Sequence, residues 1–158
     1  MLKKIFKKES GVELYSPLSG EINNLINVND PVFNQKMMGE GIAIKPTSDV
    51  VLSPFDGDVI QLFETNHAIG LSDKSGNEVL IHIGLDTVNL KGEGFTKKVE
   101  QGDKVSRGQP LIVLNLDYLK STGKDLITPI IVTNNKKVHI TNELTAVAGE
   151  TLLINILE

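Results

Sequence analysis

Ser16-Pro17-Leu18-Ser19-Gly20-Glu21-Ile22 returns 37 residues later as Ser53-Pro54-Phe55-Asp56-Gly57-Asp58-Val59. The shared pattern is Ser-Pro-x-x-Gly-acid-aliphatic, with five of seven positions matched. Proline presets a turn, glycine takes a backbone state that other residues avoid, and the aliphatic residue opens a strand. A weaker echo joins Asn29-Asp30-Pro31-Val32 to Gly102-Asp103-Lys104-Val105. Read together, these stretches predict two similar β units packed against each other.

The rest of the chain agrees with a β reading. Its 158 residues suit one compact domain. They include 30 Ile and Val but only four Ala, so residues that fit a pleated surface dominate and the best helix former is scarce. Apolar runs follow turn signals at short intervals: Gly41–Ile44, Val50–Leu52, Val59–Leu62, Val79–Ile83, Leu111–Leu114, Ile130–Thr133 and Leu152–Ile156. Gly92-Glu93-Gly94 and Gln101-Gly102-Asp103 read as loops, and Asp117–Lys120 as one helical turn. The expected fold is all-β, an antiparallel sandwich or barrel of two related motifs with at most short helical turns.

Zero cysteine excludes a disulfide framework and thiolate chemistry. No apolar run approaches the roughly 20 residues that span a bilayer, and no signal-peptide apolar region follows the first lysines. A cytoplasmic location is the expectation. The formal net charge of −4 is uneven. Lys3, Lys4, Lys7 and Lys8 crowd the start, leaving residues 9–158 with 12 basic and 20 acidic side chains. An acidic body disfavours nucleic acid and favours a partner with a basic face. Residues 1–10 interleave those lysines with Leu2, Ile5 and Phe6 at helical spacing. Such a tail either lies weakly on an anionic membrane surface or stays solvated and disordered. Residues 11–158 are expected to form a single domain.

Two of three histidines adjoin the most apolar stretches. His82 lies in Glu78-Val79-Leu80-Ile81-His82-Ile83-Gly84-Leu85-Asp86, and His67 fifteen residues upstream in Phe63-Glu64-Thr65-Asn66-His67-Ala68. Imidazole handles a proton, a metal or a phosphoryl group near neutral pH. Strand alternation puts Leu80, His82 and Gly84 on one face and Val79, Ile81 and Ile83 on the core face. Position alone leaves two readings open for His82: a core histidine satisfied by one hydrogen bond, or a reactive ring beside a bare glycine that admits a close approach. His67 is either a turn histidine or a ring whose tautomer Thr65 and Asn66 set. His139, among lysines, reads as an ordinary surface histidine. There is no His-x-His, no His-Glu-x-x-His, no Gly-x-x-x-x-Gly-Lys and no Gly-x-Ser-x-Gly.

Phe63–Ala68, then His82-Ile83-Gly84-Leu85-Asp86-Thr87-Val88-Asn89-Leu90-Lys91-Gly92-Glu93-Gly94-Phe95, closely resembles the glucose-type IIA component of the bacterial phosphoenolpyruvate-dependent sugar phosphotransferase system. So do Gly39-Glu40-Gly41-Ile42-Ala43-Ile44-Lys45-Pro46 and Ser16–Ile22, and the match runs in order over about residues 12–158. The resemblance implies a β-sandwich phosphocarrier with His82 phosphorylated, His67 beside it across a shallow depression, and Thr65 orienting His67. It implies Asp30 and Asp86 as an acidic rim, with Phe33, Leu80 and Val88 as apolar floor and walls. Leu80 departs from the family, where this position is often Phe; the change bears on packing rather than chemistry. The implied partners are the histidine-containing phosphocarrier protein as donor, a cysteine on the IIB domain of a sugar permease as acceptor, and regulatory targets of the unphosphorylated form. No cofactor is required, and zinc is implied only at a His67/His82 site shared with a partner carboxylate. Two rival readings are weaker. A zinc hydrolase of related architecture needs His-x-His, but Gly84 stands two residues after His82. A biotinyl- or lipoyl-type carrier rests only on Gln35-Lys36-Met37-Met38.

Overall fold

The computed structural model describes residues 11–157; the basic tail 1–10 and Glu158 lie outside the described residues. Strands dominate. In chain order they are β1 (Val12–Tyr15), β2 (Gly20–Asn24), β3 (Glu40–Pro46), β4 (Val50–Leu52), β5 (Gly57–Leu62), β6 (Ala68–Asp73), β7 (Glu78–His82), β8 (Phe95–Lys97), β9 (Lys104–Val105), β10 (Pro110–Leu114), β11 (Thr128–Val132), β12 (Val138–Ile140), β13 (Thr145–Ala146) and β14 (Leu152–Ile156). Two short α-helices, α1 (Pro31–Asn34) and α2 (Leu116–Ser121), and two 3₁₀ turns, Leu25–Asn27 and Thr87–Leu90, complete the regular structure of the described residues. The expected strands fall on β3, β4, β5, β7, β10, β11 and β14, with ends displaced by at most two residues.

Every strand pair is antiparallel. The largest sheet runs β13-β2-β3-β11-β7-β6-β5-β9, and two three-stranded sheets run β1-β14-β12 and β4-β10-β8. The large sheet is palindromic about its central β11–β7 pair. β2 and β5, which follow the two Ser-Pro turns, take equivalent places, and so do β3 and β6, and β13 and β9. The small sheets match in the same way.

The sequence repeat is also a repeat of hydrogen bonds. Ser16 Oγ donates to Leu18 O and Ser53 Oγ donates to Phe55 O, each at 2.7 Å. The two turns then cross-bond: Tyr15 N–H donates to Pro54 O, and Leu52 N–H donates to Pro17 O. The weaker echo has no structural counterpart. Asp30 caps α1 while Pro31 opens it, whereas Gly102 and Asp103 form a turn into β9.

The main core lies between the large sheet and the two small ones. It combines Leu14, Ile154 and Ile156 with Val51, Leu111 and Phe95, and with Ile42, Ile69, Val79, Ile81 and Ile130. Burying side chains of this size stabilises by about 1.5–3 kcal/mol each before entropy is counted. A second cluster gathers Leu25, Val28, Phe33, Ala43, Ala68, Leu80, Leu85, Ile127 and Ile131. β7 therefore alternates as expected: Val79 and Ile81 enter the main core, and Leu80 the second cluster. The second cluster forms the base on which the histidines stand.

Candidate functional site

β7 delivers His82 at its C-terminal end, and the loop into β6 delivers His67. The strands fix their separation, because β6 and β7 pair with Ala68 opposite His82, and Ile83 N–H donates to His67 O at 2.8 Å. The two imidazole centroids lie 5.0 Å apart with planes at 86°. Phe33 lies against His82 at 5.1 Å, and Phe63 meets His67 edge-on at 5.5 Å. His67 is buried and His82 partly exposed, so the second ring is the more open to an incoming molecule.

Each ring has one nitrogen engaged. His82 Nδ1 lies 2.8 Å from Gly84 O. A carbonyl only accepts, so Nδ1 carries the hydrogen, and the neutral ring keeps its lone pair on Nε2. His67 Nδ1 lies 2.5 Å from Thr65 Oγ1, and a hydroxyl serves as donor or acceptor. Burial lowers the pKa of His67 to about 4, with the charge of His82 as the smaller cause. Burial also lowers the pKa of His82, against the Gly84 hydrogen bond and the carboxylates of Asp30 and Asp86, which raise it. Both effects favour neutral rings.

Of the residues expected around the pair, Asp30, Phe33 and Asp86 are brought close enough to act on His82. Asp30 caps α1, accepting from Val32 N–H at 2.9 Å, which aims Phe33 at His82. Phe33 and Leu80 are buried in the second cluster, and Val88, on the Thr87–Leu90 turn, is 49% exposed. Asp86 takes a left-handed conformation (φ 58°) just before that turn.

Three details differ from expectation. Gly84 is no strand residue giving room on a flat face. It turns the chain with φ 77°, and a Cβ there would lie 2.7 Å from Thr87 Cγ2 and 3.1 Å from Asp125 O. Glycine is required so that its own carbonyl can face the ring. Asn66 supplies left-handed turn geometry (φ 57°) instead of a hydrogen bond to His67. Phe63, which packs on His67, carried no assigned role in the sequence reading; an aromatic four residues before a histidine across a tight turn was the available signal. His139 is exposed on β12, as expected.

Among the described residues no three His, Cys, Asp or Glu side chains are grouped to hold a metal. With both Nδ1 atoms engaged, the pair offers two Nε2 donors, and tetrahedral zinc needs ligands from elsewhere. Lys36, the residue behind the swinging-arm alternative, follows α1 and is paired with Glu40 at 3.2 Å. Among the described residues no helix is long and apolar enough to cross a membrane.

Comparison with known proteins agrees with this fold. The glucose-specific EIIA component of the phosphotransferase system from Staphylococcus epidermidis is 45% identical over 163 residues, covering 99% of this chain and 98% of the relative. Its Staphylococcus aureus (strain COL) counterpart matches to the same extent. The solved structure of glucose permease IIA from Mycoplasma capricolum superposes with a TM-score of 0.85 at 36% identity, over 90% of this chain and 94% of that one. Residues 12–138 match the family model described as phosphoenolpyruvate-dependent sugar phosphotransferase system, EIIA 1, and the chain belongs to that family.

Proposed function

We propose that residues 11–158 form one cytoplasmic phosphocarrier unit that accepts a phosphoryl group on His82 Nε2 and passes it on in glucose-type sugar uptake. The donor is the histidine-containing phosphocarrier protein, and the acceptor is a cysteine of the permease IIB domain. The observation that carries this reading is the Gly84 O···His82 Nδ1 hydrogen bond, which leaves Nε2 unprotonated on a partly exposed ring. In the first step an Nε2–P bond forms as the donor's N–P bond breaks, and its electron pair returns to the donor nitrogen. In the second the Nε2–P bond breaks as the cysteine sulfur bonds phosphorus. Both steps need in-line approach and charge stabilisation more than elaborate covalent machinery.

The other residues take supporting parts. Thr65, donating to His67 Nδ1, leaves His67 Nε2–H as a donor to a phosphoryl oxygen. Phe33, Leu80 and Val88 keep water from the reacting atoms. Asp30 and Asp86 attract a basic donor, and the same charges repel a phosphoryl dianion and favour its departure. The unphosphorylated face also binds regulatory targets, and zinc enters only if such a partner supplies further ligands. No cofactor is needed for transfer.

The test is incubation with phosphoenolpyruvate, enzyme I and the phosphocarrier protein, followed by intact mass. One acid-labile, base-stable phosphate is expected on the wild type and none on a folded His82→Ala variant. Full uptake by that variant would falsify the assignment.

A further inference from the structure

Beneath the reactive ring lies a second layer of contacts. The chain leaves β7 at His82 and turns at Gly84, and the turn is fastened from two sides. Leu85 N–H donates to Asp125 O at 2.8 Å. Thr87, which is fully buried, donates its hydroxyl to Ile83 O at 2.5 Å. The Thr87 methyl fills the space a Cβ on Gly84 would need. The hydroxyl thus holds the carbonyl just before Gly84, and the methyl packs against the Gly84 α-carbon.

We propose that Thr87 is a positioning residue: its buried hydroxyl locks the turn at residues 83–87 so that Gly84 O faces His82 Nδ1, which keeps His82 in the tautomer whose Nε2 is free. The inference rests on His82 as the phosphoryl-accepting residue. The physical reason is that a neutral imidazole has two tautomers, and the hydrogen bond made by one nitrogen decides which the other presents. If the turn relaxes, Gly84 O swings away and part of the population protonates Nε2. That fraction cannot attack phosphorus. Thr87 itself touches neither donor nor phosphoryl group.

The experiment compares wild type, Thr87→Val and Thr87→Ser. Nitrogen-15 shifts of the His82 ring report its tautomer in the unphosphorylated protein, and single-turnover uptake reports rate. Thr87→Val keeps the packing volume and loses the donor; a mixed tautomer is expected, with uptake slowed about tenfold, the scale set by losing one net hydrogen bond. Thr87→Ser keeps the donor and is expected to retain the Nδ1–H tautomer and near-normal uptake. A pure Nδ1–H tautomer in Thr87→Val, or a mixed one in folded Thr87→Ser, would overturn the proposal, and either result can be read if the other variant does not fold. The tautomer measurement needs no phosphate donor. Failure of wild-type His82 to take phosphate would strike the functional reading while leaving the positioning result legible.

Discussion

A carbonyl engages Nδ1 of His82, and a hydroxyl engages Nδ1 of His67. The first partner forces a tautomer; the second permits either, since a hydroxyl turns its hydrogen toward or away from the ring. This suits a nucleophile with one task beside a neighbour that holds oxygen atoms. His67→Gln keeps an N–H donor but loses the titrating ring. It is expected still to accept phosphate on His82 and to pass it to the IIB domain about 10²–10³-fold more slowly, the usual effect of losing a positioned donor. Rapid-quench transfer checks this, and unchanged onward transfer would reduce His67 to packing. The same substitution should alter acid stability. Burial holds folded His67 at about 4, whereas its ordinary value is 6.5. Within that window the unfolded chain binds a proton that the folded chain refuses, so stability is lost as pH falls from 6.5 towards 4 and levels off below. His82 contributes in the same direction. Urea denaturation across this range should give a flatter profile for His67→Gln than for wild type, and an equal slope would argue against a neutral buried His67.

At the scale of elements, α1 is four residues long and cannot hold itself together by propensity. Its order rests on the Asp30 cap and on Phe33 reaching the second cluster. Asp30→Ala should therefore cost about 1 kcal/mol in chemical denaturation. Asp30→Asn keeps an accepting oxygen at the cap and should unfold near wild type, yet bind a basic donor more slowly and with weaker salt dependence. Equal instability of both variants would show that charge rather than capping holds the element. Asp-Pro before an apolar pair is a legible helix start, but it is easily taken for another turn in a chain rich in them. β6 was hidden for a different reason. Ala68 and Gly70 are poor strand formers, and their place is decided by tertiary packing, opposite His82 and Leu80. The β-branched strands and the alternation across β7 were legible from periodicity. The site's residue types were legible from the motif. The role of Gly84 was not, because a carbonyl's direction follows from a turn that spacing does not reveal.

At the scale of the whole molecule, two similar halves form a symmetrical frame with the histidine pair in one of them. The β11–β7 axis pairs Ile130 with Ile81, which places Ile131 where His82 stands in the other half. The frame's charge is asymmetric too, since four of the 16 basic residues lie in positions 1–10. Near an anionic surface each is worth about 1 kcal/mol, so removing residues 1–10 should weaken salt-sensitive vesicle binding and spare phosphate uptake in solution. Equal vesicle binding by the shortened and full chains would sink the role assigned to the tail.

The sheet β1-β14-β12 has one more consequence, which concerns synthesis on the ribosome. β14 is its middle strand, bonding Val12–Tyr15 on one side and Val138–Ile140 on the other. Until residues 152–156 have emerged, β1 has no partner in this sheet and its backbone edge stays open. A nascent chain therefore carries that edge while residues 16–151 are made, when neighbouring chains compete to cover it. Truncation or stalling before Leu152 should yield aggregates rather than a smaller folded protein.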